Sequence, residues 1–141
     1  MQSVNRVPII RLWDLLLVPV QGDIDDAQAE ELVSDVLERV QRAGCDGLLI
    51  DLSGVWTLDS HLCSVMVRLS RSAALMGART IVSGMRPEIA MTIQAMGISL
   101  GGIHTVATLE DALESMGVRS ERGKHDHSED DELVRKILEQ P

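Results

Sequence analysis

Asp59, Ser60 and His61 stand side by side where an apolar run gives way to an amphipathic one. These residue types make up a hydrolytic triad, but consecutive residues at a helix start cannot turn their side chains toward one another. No Gly-x-Ser-x-Gly elbow occurs either, since Ser53 and Ser83 are each followed only by a glycine. The position offers something different. A serine at a helix start can cap the first turn, and its hydroxyl can be held out to another protein's active site when the strand behind it is buried and rigid. A phosphate there would change local charge by about −1.5 to −2. It would sit beside Asp59, in a chain whose net charge is already −9. Ser60 therefore reads as a modification site ahead of a catalytic one, although for a serine at such a place the commoner role is a plain N-cap.

Other chemistry finds less support. Asp23, Asp25 and Asp26 begin like a calcium loop, yet the sixth position is Gln28 where glycine is needed and the twelfth is Ser34 where a bidentate glutamate belongs. His125 and His127 lack a third and fourth metal ligand. Gly97, Gly101 and Gly102 follow a helical pattern instead of opening one, and no phosphate-cradling lysine accompanies them. No metal and no cofactor is expected.

Composition narrows the class. One domain of ordinary size fits 141 residues, and 45% hydrophobic content with a mean hydropathy of +0.08 describes a folded chain. Trp13 and Trp56 are the whole aromatic complement, so no platform for stacking bases exists, and the acidic balance repels phosphate backbones. Nucleic acid is excluded as an expected partner. Apolar runs are far shorter than the roughly 20 residues that span a bilayer, the start lacks a basic-then-apolar leader, and Cys45 and Cys63 form no Cys-x-x-Cys pair. A soluble, cytoplasmic protein with reduced thiols is expected, without a membrane partner.

The elements that must position Ser60 follow from periodicity. Residues 7–13 and 15–20 read as two β-prone runs turning at Asp14. From Asp25 or Asp26, the residues Ala29, Leu32, Val33, Val36, Leu37 and Val40 recur at helical spacing up to Gly44. Residues 47–52 form a continuous apolar run suited to a central strand covered on both faces. A helix opening at Ser60 carries Leu62, Val65, Met66, Leu69, Ala73 and Met76 on one stripe, and residues 79–83 give another strand. Pro87 opens a third helix burying Ile89, Ile93 and Met96; residues 103–106 form a short edge strand. Thr108 with Asp111 resembles the capping box of a last helix. The order ββαβαβαβα predicts an α/β domain, a mixed but mainly parallel sheet with about four helices packed against it. That domain spans residues 1–118. Residues 119–141 form a polar extension in which Leu133, Val134, Ile137 and Leu138 mark a short amphipathic helix, equally readable as a frayed end or as a docking segment.

This alternation, the turn Gln21, Gly22, Asp23, Ile24, Asp25, Asp26, the strand Leu48, Leu49, Ile50, Asp51, Leu52 and the Asp59–Ser60 helix start together resemble a STAS domain, the family of anti-sigma-factor antagonists. Residues 7–13 through 21–26, with Leu75, Met76, Gly77 and Ala78, are similar more narrowly to its small single-domain stressosome members. The resemblance covers residues 7–117. It implies that Ser60 is the phosphoacceptor of a serine/threonine switch kinase and that the chain is a substrate and scaffold, not an enzyme. It implies as partners that kinase, a sensor protein ending in a related STAS domain, a phosphatase, and further copies in a large assembly. The unmodified form would sequester the kinase and phosphorylation would release it. Two departures stand out: His61, where an apolar residue is expected, and the extension 119–141.

The expected docking face carries Asp23, Asp25, Asp26 and Asp59 around an apolar rim of Val55, Trp56 and Leu58, with His61 beside it and Trp56 as the anchor. Core burial is as natural a reading for Trp56, and solvated helix-start positions as natural a one for the aspartates. Two rivals remain: a stand-alone antagonist binding an anti-sigma kinase directly, and a small hydrolase using Ser60.

Overall fold

Strand residues of alternating direction and helices with one apolar side assemble around a five-stranded sheet. A computed structural model describes residues 7–100 and 103–117. Its elements run β1 (Ile10–Leu12), β2 (Leu15–Gln21), α1 (Asp26–Ala43), β3 (Gly47–Gly54), α2 (Ser60–Leu75), β4 (Arg79–Ser83), α3 (Pro87–Ala95), β5 (His104–Val106) and α4 (Leu109–Ser115). The predicted order holds. The extension 119–141 lies outside the described residues.

Strands neighbour one another in sequence order, with β1 antiparallel to β2 and the pairs β2–β3, β3–β4 and β4–β5 parallel. β3 is the centre, as its unbroken apolar run demands. Because side chains alternate across a strand, Leu16, Val18, Val20, Leu48, Ile50, Leu52 and Val82 face α1, α2 and α3 in the main core. Leu49 and Ile81 face the other way, onto Ala112 of α4. Gly47 permits this second layer to close: a β-carbon there would lie 2.4 Å from Leu15 Cδ2 and 3.2 Å from Met116 Sδ.

Local chemistry explains the helix boundaries. Asp25 caps α1 in a reciprocal box with Gln28, the carboxylate accepting from the Gln28 N–H at 2.7 Å while the Gln28 side chain accepts from the Asp25 N–H at 3.0 Å. Thr108 accepts from the Asp111 N–H at the start of α4. Pro87 opens α3 at a position where its missing N–H costs nothing.

Four side chains depart from the sequence expectation. Met76 and Met96, assigned to helix cores, are 42% and 38% exposed because each follows the last turn of its helix, where the stripe rotates off the sheet. Val55 and Leu58, assigned to a surface rim, are buried. At the hairpin, Trp13 adopts a left-handed φ of +55° and leaves its ring exposed.

Candidate functional site

All three βα crossings bring their loops to the carboxyl edge of the sheet, where sites in α/β folds gather. Ser60 lies on the central one, between β3 and α2. Val55, fully buried, turns its N–H back onto the Leu52 carbonyl at 2.9 Å, and Leu58 is buried three residues on. These two apolar pins fix the loop from beneath and leave Trp56, Thr57, Asp59 and Ser60 on its outer side.

The cap belongs to Asp59. Its backbone is extended (φ −94°, ψ 172°) and its carboxylate accepts from the Leu62 N–H at 2.8 Å. Ser60 is thus the first helical residue, exposed, with the capping duty discharged by its neighbour. This corrects the reading of Ser60 as N-cap: both residue types cap well, and the extended backbone falls one residue earlier.

Neighbouring loops hold this one from both sides. Thr57 donates its hydroxyl to the Asp23 carboxylate at 3.3 Å, tying it to the β2–α1 loop. Arg86, from the β4–α3 loop, donates its Nε–H to the Ser53 carbonyl at 3.1 Å and stacks its guanidinium over the Trp56 ring. His61 turns toward α1, its Nε2 3.6 Å from Asp26 Oδ1, too long for a hydrogen bond and an ion pair only when the ring is protonated. One turn further along α1, Glu30 pairs with Arg68 at 2.5 Å, and that hydrogen bond holds the Glu30 carboxyl below its ordinary range.

Asp23, Trp56, Asp59, Ser60 and His61 therefore meet at one edge, and Asp25 sits there as the cap of α1. Trp56 is 67% exposed, which decides against core burial. Arg86 is the residue that sequence reasoning missed. Its signal was topological: in a parallel sheet the loop after β4 must neighbour the loop after β3. A second missed group underlies the site, where Asp51 accepts from Ser83 at 2.9 Å and from Ser53, packed beneath Gly84. Cys63, on the inner side of α2, is fully buried; burial pushes its thiol up, as it does that of Cys45, so neither is a poised nucleophile. Asp59 and His61 turn to the Leu62 N–H and to Asp26 respectively, so no triad forms at Ser60. Among the described residues no group of three metal-ligating side chains gathers, and no helix is long and apolar enough to cross a membrane.

Residues 6–112 match the STAS domain family. The chain belongs to that family. This STAS domain is 32% identical over 113 residues to the RsbT co-antagonist protein RsbRD of Bacillus subtilis, covering 79% of the chain and 41% of the relative. It is 36% identical over 107 residues to RsbRB of the same organism, covering 75% and 39%. The chain thus spans about two fifths of the length of these curated relatives. Among solved structures, RsbS of Moorella thermoacetica, determined as a serine-to-glutamate variant, superposes with a TM-score of 0.68 at 28% identity, covering 79% of this chain and 97% of that one. A chain from the structure described as the molecular architecture of the stressosome gives 0.67 at 27%, covering 79% and 100%. Unphosphorylated SpoIIAA, at 14% identity and a TM-score of 0.65, shares the fold. The STAS assignment and the mixed, mainly parallel α/β architecture expected from the sequence are borne out.

Proposed function

We propose that this STAS domain is a phospho-switchable scaffold whose switch is Ser60. A serine/threonine kinase transfers the γ-phosphoryl group of ATP to the Ser60 oxygen: the new O–P bond forms as the bond to ADP breaks, and the hydroxyl proton passes to a base of the kinase. Before transfer the edge bearing Asp23, Asp25, Trp56, Asp59 and His61 retains the kinase; afterwards the added charge meets Asp59 and the other carboxylates, and the complex releases. A buried, unpaired charge costs several kcal/mol, and about 1.4 kcal/mol already weakens binding tenfold. The helix dipole favours the phosphate by only about 0.3–1 kcal/mol.

The observation that carries this reading is the division of labour at the helix start. Asp59 caps, so Ser60 Oγ is free of structural duty and exposed. The likeness to RsbT co-antagonists and to a stressosome chain supports a kinase as the partner class and assembly with further STAS chains; a sensor carrying a related STAS domain, resetting by a phosphatase and a cytoplasmic setting belong to the same proposal. Incubation with the cognate kinase and ATP followed by mass spectrometry is expected to place the phosphate on Ser60; labelling elsewhere with Ser60 unmodified overturns the proposal. Light scattering with the sensor homologue is expected to give a megadalton-scale particle, whereas a small one-to-one complex with an anti-sigma kinase would favour the stand-alone antagonist.

A further inference from the structure

His61 follows Ser60 directly, and its ring turns toward α1. The side chain is 41% exposed, yet Nε2 is buried and meets no hydrogen-bond partner among the described residues. Asp26 Oδ1 stands 3.6 Å away, beyond a hydrogen bond and within the range of an ion pair. A neutral ring with its proton on Nδ1 aims a lone pair at that carboxylate, whereas the imidazolium donates from both nitrogens. The pair closes only when the ring gains a proton. The charged groups around it favour that gain. Asp25, Asp26 and Glu30 lie on the α1 side and Asp59 caps its own helix; Arg68 is already held by Glu30, and Arg86, from the β4–α3 loop, by Ser53 and Trp56.

We propose that His61 reads the Ser60 phosphate from inside the domain: it takes up a proton when Ser60 is phosphorylated and closes on Asp26, so that charge added at the loop ties α2 to α1. This rests on Ser60 as the phosphoacceptor. The phosphate adds about −1.5 to −2 charge one residue from the ring, and a negative charge nearby favours the charged form of an imidazole. The proton comes from solvent, to which the ring is open on its exposed side. Asp26, 80% exposed in the unmodified chain, is then drawn into the helix pair. Phosphorylation thus withdraws a carboxylate from the docking edge while it adds its own charge there.

The test follows the histidine Cε1–Hε1 NMR resonances of the full chain against pH, with and without phosphoserine installed at position 60 through an expanded genetic code. The His61 signal is identified by its loss in His61→Gln. Phosphoserine is expected to raise the His61 titration midpoint by about 0.5 or more in pH. Asp26→Asn should lower that midpoint in the phosphorylated chain by a similar amount, and dispersion of the same spectra reports that each variant is folded. Amide exchange over residues 26–32 should slow at least twofold on phosphorylation in the parent and not in His61→Gln. A midpoint unmoved by the phosphate or by Asp26→Asn overturns the inference, as does equal slowing of exchange in the parent and His61→Gln. Because the phosphate is installed without a kinase, those results leave Ser60 standing as the phosphoacceptor. A kinase that labels another residue and leaves Ser60 unmodified removes the reading beneath the inference, whatever the ring does.

Discussion

The guanidinium carbon of Arg86 lies 3.8 Å from the centroid of the Trp56 ring while its Nε–H holds the Ser53 carbonyl. One side chain thus links the end of β3 to the exposed aromatic of the Ser60 loop. A large ring held flat by a neighbour loses little freedom when a partner binds, which is how an interface anchor gains affinity without new contacts.

Replacing Arg86 by alanine should therefore free the ring before it harms the fold. An exposed cation–π contact contributes about 0.5–1 kcal/mol, so the melting temperature should fall by only a few degrees. In a Trp13→Phe background, which leaves Trp56 as the sole fluorophore, emission should shift to the red and kinase capture should weaken severalfold. Arg86→Lys keeps the charge but not the planar fork, and intermediate emission is expected. Emission identical to the parent would show that the stack does not organise the loop.

Ser60 and Asp59 should separate cleanly on substitution. Loss of the Asp59 cap in Asp59→Ala is expected to cost about 1 kcal/mol, seen in urea denaturation. Ser60→Ala, which removes a hydroxyl with no capping role, should leave stability within about 0.5 kcal/mol yet abolish phosphate incorporation. Ser60→Asp should keep the circular-dichroism spectrum and melting temperature while weakening kinase capture. A stability loss in Ser60→Ala as large as that in Asp59→Ala would return the cap to the serine.

Gly84 offers a test of how tightly the base of the loop is built. Its φ is +72°, and a β-carbon would stand 2.7 Å from Asp51 Oδ1 and 3.0 Å from the Ser53 nitrogen. Gly22 has a similar φ of +70° with nothing within 4 Å. Both Gly→Ala changes incur the left-handed penalty of roughly 1–2 kcal/mol; only Gly84→Ala must also displace Asp51 and Ser53. Chemical denaturation should show Gly84→Ala the more destabilised by about 1 kcal/mol or more. Equal losses would mean that the Asp51 group yields freely.

What could be read from the chain was whatever repeats. Leu32, Val36 and Val40 announce a helix by spacing, the run through Leu48, Leu49 and Ile50 announces a strand covered twice, and alternation of the two brings the loops to one edge. The irregular stretch from Val55 to Asp59 has no period, so nothing in it distinguished the inward Val55 and Leu58 from the outward Trp56. Serine and aspartate are equally good caps by type, and only backbone angles chose Asp59. Arg86 is 30 positions from Trp56, beyond any local pattern. The box of Asp25 with Gln28 is legible in the spacing of an aspartate and a glutamine three residues apart at a helix start.

The pair Glu30–Arg68 joins α1 to α2 one turn below His61 and Asp26, and it gives the helix packing behind the site a pH dependence of known sign. Arg68 holds the Glu30 carboxyl below its ordinary range. A group whose folded value is depressed binds its proton more readily when unfolded, so its stabilisation is complete above the unfolded value of about 4.3 and disappears as pH falls through the lower folded one. Glu30→Gln should accordingly melt below the parent near pH 6, and the two melting temperatures should converge as the pH falls below the unfolded value of about 4.3. Both side chains are about half exposed, so the gap will be small and should shrink further in high salt. In an Arg68→Met background the same change should have no pH-dependent effect. A gap that does not narrow as the pH falls below about 4.3 would assign the loss to packing of the glutamate stem instead of its charge.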